Sequence, residues 1–380
     1  MVHSTCNEML SGETPMTTMK RRNFLKGAGL AAAAGTVAAP AIAQSQPEIR
    51  WRLTSSFPKS LDTIFGTAQT FAKYMADATD NKFQIQVFAP GEIVGGLQAM
   101  DAVQNGSVEC AHTPTYYWVG KEPALGMGTG LPFSLNARQL HSWWHFAGGK
   151  EIINEILAKY NCTSLVCGNS GTQMGGFFRK EINTVEDLNG LKFRIGGLGG
   201  MVLAKLGVVP QQIAPGDVYP ALERGTLDAA EFVGPYDDEK LGFLKVAKYY
   251  YAPGWWEGGA MLHLVVNQQK FNELPKHYQA IMSNACEAAN NWMLAKYDAV
   301  NGQALRRMVG AGAELRTFSP AIMEASLKAA NVLYAELSAK NADFKKVYDS
   351  MVAYRTDVLP WWQLNEYAFD TFMIRTRGRV

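Results

Sequence analysis

The sequence predicts an α/β protein of two lobes, on three observations. From residue 49 onward, apolar alternation and helical periodicity succeed one another in a β-α-β-α rhythm, the pattern of a lobe built on a mainly parallel sheet. A second stretch of the same kind follows a helical segment at roughly residues 137–159. What remains after a leader at residues 1–43 is too long for one comfortable core. It contains no low-complexity linker, and two lobes without one exchange the chain more than once and close by hinge motion.

The leader is excluded from the fold. Met19 to Ala43 starts basic, continues apolar and ends Ala41-x-Ala43, the anatomy of a secretory signal. Arg21-Arg22, followed by Asn23-Phe24-Leu25-Lys26, looks like a twin-arginine signal, an address read by a receptor. Met1, Met16 and Met19 are all available as starts. The apolar middle is rich in Ala and Gly and too weakly hydrophobic for a good transmembrane span. No later stretch has the apolar length of one.

From residue 44 onward, basic and acidic residues are equal in number, against a net charge of +2 for the whole sequence. That balance argues against nucleic acid and against an anionic membrane surface, since both want a basic excess. Cys110, Cys162, Cys167 and Cys286 form no C-x-x-C, so no zinc ribbon, redox pair or haem attachment is signalled. Cys162 and Cys167 lie five apart in an expected strand and point to opposite faces. Four buried free thiols are expected.

The elements follow in order. Residues 49–57 alternate as a strand; Ser60 is placed to cap a helix from Leu61 to Ala78, with Ile64, Phe65, Ala68, Phe71, Ala72 and Met75 on one face. Phe83, Ile85 and Val87 alternate in a second strand, ended by Pro90-Gly91. A helix, a Gly turn and a short strand at 108–111 come next. The loop after that strand carries Thr115-Tyr116-Tyr117-Trp118, where ligands of α/β lobes sit. The second stretch holds the strands CTSLVCGNS, GGFFRK and LKFRIGG, then helices from about Gly200 and around Asp217, then TLDAAEFVG. GGAMLHLVVNQQKF is a later long strand, and from Pro275 the pattern is almost all helical, ending in an aromatic tail.

Four features carry chemistry. Glu231 sits inside the small, apolar run Ala229-Ala230-Glu231-Phe232-Val233, and a carboxylate buried alone is too costly to leave unpaired; it either reaches solvent or faces a bound ion. Arg194 shares a strand face with Lys192, ahead of Gly196-Gly197. It is placed to grip a carboxylate, although on its own an ordinary exposed arginine is the simpler reading. Gln173 lies in a Gly-rich bend, where its amide oxygen suits a hard cation; an unpartnered loop glutamine is the plainer alternative. Tyr249–Tyr251, Trp255, Trp256 and Glu257 share one loop, which fits either a pocket wall or an aromatic plug. His141 and His145 have helical i, i+4 spacing but no third ligand, and are read as structural. There is no phosphate loop, no dinucleotide spacing and no nucleophile elbow.

Taken together, LTSSFPKSLD, TPTYYWVGK, GTQMGGFFRKEI, LKFRIGGLGG, AAEFVGPYDDEKLGF and YYYAPGWWEGG resemble the periplasmic receptors of tripartite ATP-independent (TRAP) transporters. The resemblance spans nearly all of the chain after the leader. It is strongest to the subgroup of receptors for 2-oxo acids such as pyruvate, and to a related lactate receptor. It implies a type II-like periplasmic binding protein with crossing strands, a long connecting helix and an extra C-terminal helix. Lobe I is expected at 44–145 and 233–270, lobe II at 146–232 and 271–345, and a tail at 346–380. The resemblance also implies a small monocarboxylate bound with a metal cation, sodium for 2-oxo acids and calcium for lactate. Arg194 would grip the carboxylate, Gln173 and Glu231 would ligate the ion, and Phe232 would offer it a backbone carbonyl. Tyr117 would touch the ligand, with Tyr116 and Trp256 in the lining.

Phe232 stands where relatives often have Trp, which alters the packing over the ligand. Met174 stands where the lactate receptor is expected to have Asn, which speaks against lactate-type recognition. Arg194, Glu231 and a ligand carboxylate together leave one excess negative charge, which a monovalent cation neutralises. Sodium is therefore favoured, with calcium as the alternative. The partners implied are the membrane permease and a second copy of the chain, exchanged through the C-terminal helix. The aromatic tail around Trp361, Trp362, Tyr367, Phe369 and Phe372 fits such an exchange. The resemblance implies a receptor without catalysis. An exported cofactor-bearing oxidoreductase and a module presenting ligand to a sensor kinase are the competing readings.

Overall fold

The computed structural model describes residues 47–378. The leader expected at 1–43, with Arg21 and Arg22, lies outside the described residues. In chain order the strands are β1 (Ile49–Ser55), β2 (Phe83–Phe88), β3 (Cys110–Thr113), β4 (Cys162–Asn169), β5 (Gly176–Phe178), β6 (Lys192–Arg194), β7 (Val209–Gln211), β8 (Ala229–Ala230), β9 (Tyr249–Ala252), β10 (Met261–Asn267) and β11 (Glu314–Thr317). The site and its frame involve helices α1 (Ile64–Ala78), α2 (Gly197–Ala204), α3 (Pro235–Leu241), α4 (Lys276–Gly310), α5 (Pro320–Lys340), α6 (Ala342–Trp362) and α7 (Ala368–Thr376).

The strands form two sheets, ordered β2-β1-β3-β10-β4 and β11-β9-β5-β8-β6-β7. In the first, β1 runs parallel to β2 and β3, and β10 is antiparallel to both its neighbours. In the second, β6 is parallel to β7 and β8, β11 is parallel to β9, and β5 is antiparallel to β8 and β9. Each sheet is thus mainly parallel with one reversed strand. Both reversed strands, β5 and β10, are entered from the other sheet; β11 is too, and it runs parallel to β9.

The chain crosses between sheets at 170–175, from β4 to β5, and returns at 253–260, from β9 to β10. The two crossing segments bond to each other. Ser170 N–H donates to the Ala260 carbonyl at 3.0 Å, Gln173 N–H to that of Glu257 at 3.3 Å, and Gly254 N–H to that of Gln173 at 2.9 Å. The lobe bounds expected from the sequence cut across the sheets, because β4 pairs within the first sheet and β9 within the second.

Local sequence explains the elements around this frame. The helix α1 buries Ile64, Phe65, Ala68, Phe71 and Met75, spaced three and four apart. It begins at Ile64, and Ser60 does not cap it: the Leu61 N–H is taken by the Pro58 carbonyl at 3.1 Å, inside a turn. The 35-residue α4 buries Tyr278, Met282, Ala285, Ala289, Met293 and Tyr297 on one stripe, packing on β4 and α1. The helices α5 and α6 then run back over the body, with Tyr334 donating to the Pro132 carbonyl at 3.0 Å and Arg355 to that of Phe133 at 3.0 Å. All four described cysteines are buried and free. Among the described residues, no helix is long and apolar enough to cross a membrane.

Candidate functional site

Arg194 closes β6 and Glu231 follows β8 by one residue, on adjacent parallel strands. The register puts Arg194 opposite Ala230, and Glu231 N–H donates to the Arg194 carbonyl at 3.1 Å. The side chains meet. Arg194 Nη1 donates to Glu231 Oε1 at 2.6 Å and to the Glu231 carbonyl at 2.6 Å, while Nε donates to the Ile213 carbonyl at 3.1 Å. Arg194 is 1% exposed and Glu231 0%. The carboxylate stranded in an apolar run therefore has its cation. Lys192, on the same strand face, is exposed, so the strand delivers only its last cation to the interior.

An ion pair this deep is stable only where its remaining donors and acceptors find partners. Here several buried polar atoms face inward without any: Arg194 Nη2, Glu231 Oε2, Gln173 Oε1, Tyr117 Oη, Trp256 Nε1 and Glu257 Oε2. They come from different parts of the chain. Tyr117 follows β3 of the first sheet, Arg194 and Glu231 end strands of the second, Gln173 is on one crossing segment, and Trp256 and Glu257 are on the other. Tyr116, Tyr117, Glu231 and Glu257 all act electrostatically on Arg194, so these four lie near the guanidinium.

Aromatic rings pack around the buried pair. The Arg194 guanidinium lies 5.6 Å from the Phe232 ring centroid, a cation–π contact, and Phe232 meets Phe57 edge-on at 6.3 Å. Tyr116 stands edge-on to Tyr117 at 5.0 Å. Its ring leaves no room for a side chain at Gly197, where a Cβ would come within 2.9 Å and φ is +61°. Gln173 is held by its amide, which donates to Ser170 Oγ at 3.1 Å; the same hydroxyl accepts from Ala260 N–H at 3.1 Å.

Burial dominates the electrostatics. It opposes the charge of Arg194, but Glu231 and its neighbours outweigh it and raise the guanidinium pKa, so the cation persists. Burial pushes the Glu231 carboxyl up to about 7, against the pull of Arg194 and of the Gly196 N–H. Glu257 is driven well above the usual carboxylate range by burial and then by Glu231. The Tyr117 hydroxyl is raised to about 12, mainly by burial. Two carboxyl groups thus share one arginine, a set that favours an added cation.

The sequence reading placed Glu257 in a possible pocket-wall loop but gave it no part in binding. Its signal is a lone acid between Trp256 and Gly258-Gly259 with no cation near it in the chain. The histidines fall elsewhere. His141 Nε2 is 3.3 Å from Asn169 Nδ2, and His145 pairs with Glu287 of α4 at 3.3 Å. His112 Nε2 bonds the Cys167 carbonyl at 2.9 Å, and burial pushes its pKa down to about 4. Among the described residues no cluster of three or more His, Cys, Asp or Glu suits a metal. The orphaned oxygens of Gln173, Glu231 and Glu257 are instead hard donors of the kind a cation takes.

Residues 54–341 match the bacterial extracellular solute-binding protein family 7, DctP. The chain belongs to this family. It is a periplasmic solute receptor of the TRAP type, as the resemblance implied. The receptor is 46% identical over 360 residues to a monocarboxylate 2-oxoacid-binding periplasmic protein of Nostoc sp., covering 93% of this chain and 99% of that protein. Among solved structures it is similar to a TRAP transporter solute binding protein of Bordetella bronchiseptica. That likeness has a TM-score of 0.87 at 51% identity, over 88% of this chain and 99% of the other; that protein is a mixed occupancy dimer with copurified calcium and picolinate. A TRAP receptor of Pseudoalteromonas atlantica with bound sodium and pyruvate has a TM-score of 0.82 at 36% identity, over 85% of this chain and 98% of the other.

Proposed function

We propose that the receptor encloses a small 2-oxo monocarboxylate together with a metal cation, between its two sheets, and delivers it to a TRAP membrane permease without catalysing a reaction. The observation that carries this reading is the mixed character of the orphaned atoms. Arg194 Nη2, Tyr117 Oη and Trp256 Nε1 are donors; Gln173 Oε1, Glu231 Oε2 and Glu257 Oε2 are acceptors. Donors suit an anion and the oxygens suit a cation. Pyruvate and picolinate, bound by relatives, share one chemical feature: an acceptor atom on the carbon next to the carboxylate, so that both chelate an ion.

In this reading Arg194 grips the carboxylate, Tyr117 and Trp256 orient the ligand, and Tyr116 and Phe232 exclude water. Gln173, Glu231, the Phe232 carbonyl and Glu257 hold sodium or calcium. The ion, when bound, joins ligand and protein by charge. The two lobes are the bodies around the two sheets, hinged at the crossing segments. Calorimetry with pyruvate and picolinate, with sodium, calcium or chelator, tests the reading. Binding that needs a cation is expected; binding indifferent to every cation overturns the metal part, and no binding of either acid overturns the ligand.

The exposed tail supports a second copy of the chain as a further partner. Trp361, Leu364, Tyr367, Phe369 and Phe372 are all more than 60% exposed on α6, α7 and the π-helical stretch that joins them. A run of this length is more than scattered surface hydrophobics.

A further inference from the structure

We propose that Gln212 is the latch of the closed receptor, a positioning residue that sets how long the ligand stays. This rests on the reading that the site opens between the two sheets. Gln212 follows β7 of the second sheet. Its Nε2 donates at 2.9 Å to the backbone carbonyl of Tyr117, in the segment after β3 of the first sheet. Its Oε1 lies 3.4 Å from the Gly197 N–H at the start of α2. One side chain therefore ties the Tyr117 loop to two pieces of the facing body.

The location gives the contact its role. Gln212 and Ile213 line a cavity of about 790 Å³, walled on one side by residues after β1 and β2, including Lys59 and Gly96, and on the other by the segment running to Asp217. Inward of that wall, the Ile213 carbonyl accepts from Arg194 Nε. Gln212 and Ile213 thus stand between an open cleft and the buried Arg194–Glu231 pair, in which Glu231 has no exposure. A ligand leaves only after the sheets part, and parting on this side breaks the Gln212–Tyr117 bond. The bond belongs to the closed state alone. It slows release, and it holds Tyr117 where its hydroxyl faces inward.

Gln212→Met keeps length and bulk but removes the donor. Stopped-flow measurement with pyruvate in sodium and in calcium is expected to show release faster by roughly 3- to 10-fold, the worth of one hydrogen bond. The association rate should stay within about twofold, and the melting temperature of the ligand-free protein should not move. An unchanged release rate overturns the proposal, and so does an equal loss in both rates. Spin labels at Lys59→Cys and Asp217→Cys, in a Cys6→Ser background, read the latch without ligand; the four described cysteines are buried. Gln212→Met should deplete the short inter-label distances, and identical distributions overturn the latch. If the unaltered receptor binds neither pyruvate nor picolinate with either ion, the ligand reading fails, and the label distances still decide the latch.

Discussion

At Glu231 two requirements meet in one side chain: water must be kept out, and the charge must be balanced. Arg194 does the balancing at 2.6 Å, and removing either partner leaves the other buried and unpaired, which costs about 3–5 kcal/mol. Arg194→Lys keeps the charge but loses the planar fork. It should weaken ligand binding by roughly 30-fold or more, and an affinity within threefold of the native value would remove the Arg194 grip from the account. Glu257→Gln takes one negative charge from the site. Calorimetry should show calcium-supported binding falling much more than sodium-supported binding; an equal fall would show that Glu257 does not help to choose the ion. These residues were unequally legible. Glu231 stood out because an acid inside Ala-Ala-x-Phe-Val has few comfortable fates, whereas Arg194 shares its strand face with the exposed Lys192, which suited a surface arginine, and only the family resemblance singled it out. Glu257 gave no such sign, since Gly-Trp-Trp-Glu-Gly-Gly has no period from which a direction can be read.

At the level of elements, α3 shows what burial does to acids outside the site. Asp237 accepts from Tyr297 Oη at 2.5 Å and Asp238 from Tyr250 Oη at 2.6 Å, which tie the helix to α4 and to β9. Burial pushes the two carboxyls up to about 7 and about 8. The charged neighbours of the pair are Lys296, which favours ionisation of Asp237, and Glu231, which opposes that of Asp238. The folded state holds these protons more tightly than the unfolded chain, whose carboxyls titrate near 4. Stability is therefore greatest below about pH 4 as far as these groups decide it, and declines as pH rises through 7 and 8. Asp238→Asn should flatten that decline and raise stability at pH 8 by on the order of 1–3 kcal/mol, measured by denaturant titration at several pH values. An unchanged slope would mean that Asp238 already ionises without penalty. Most helices and strands were legible from periodicity. The membership of β4 and β9 was not, because a strand's own residues do not say which sheet its neighbours belong to when the chain passes between sheets three times.

At the scale of the whole molecule, the C-terminal helices bind the body at one end and expose apolar surface at the other. Arg138 grips this region through the Trp362 ring at 5.0 Å and Glu366 at 2.8 Å, while Tyr367, Phe369 and Phe372 face outward. Deleting residues 359–380 should convert a dimer to a monomer in analytical ultracentrifugation, with ligand affinity changed by less than about threefold. A dimer that survives the deletion would place the contact elsewhere. The crossing segments have a different kind of consequence. In the proposed reading, the same few peptide units hinge the two lobes and present Gln173, Trp256 and Glu257. Anyone retargeting this scaffold to another acid by editing those positions will also retune the stiffness of its joint, so selectivity and speed of exchange will drift together.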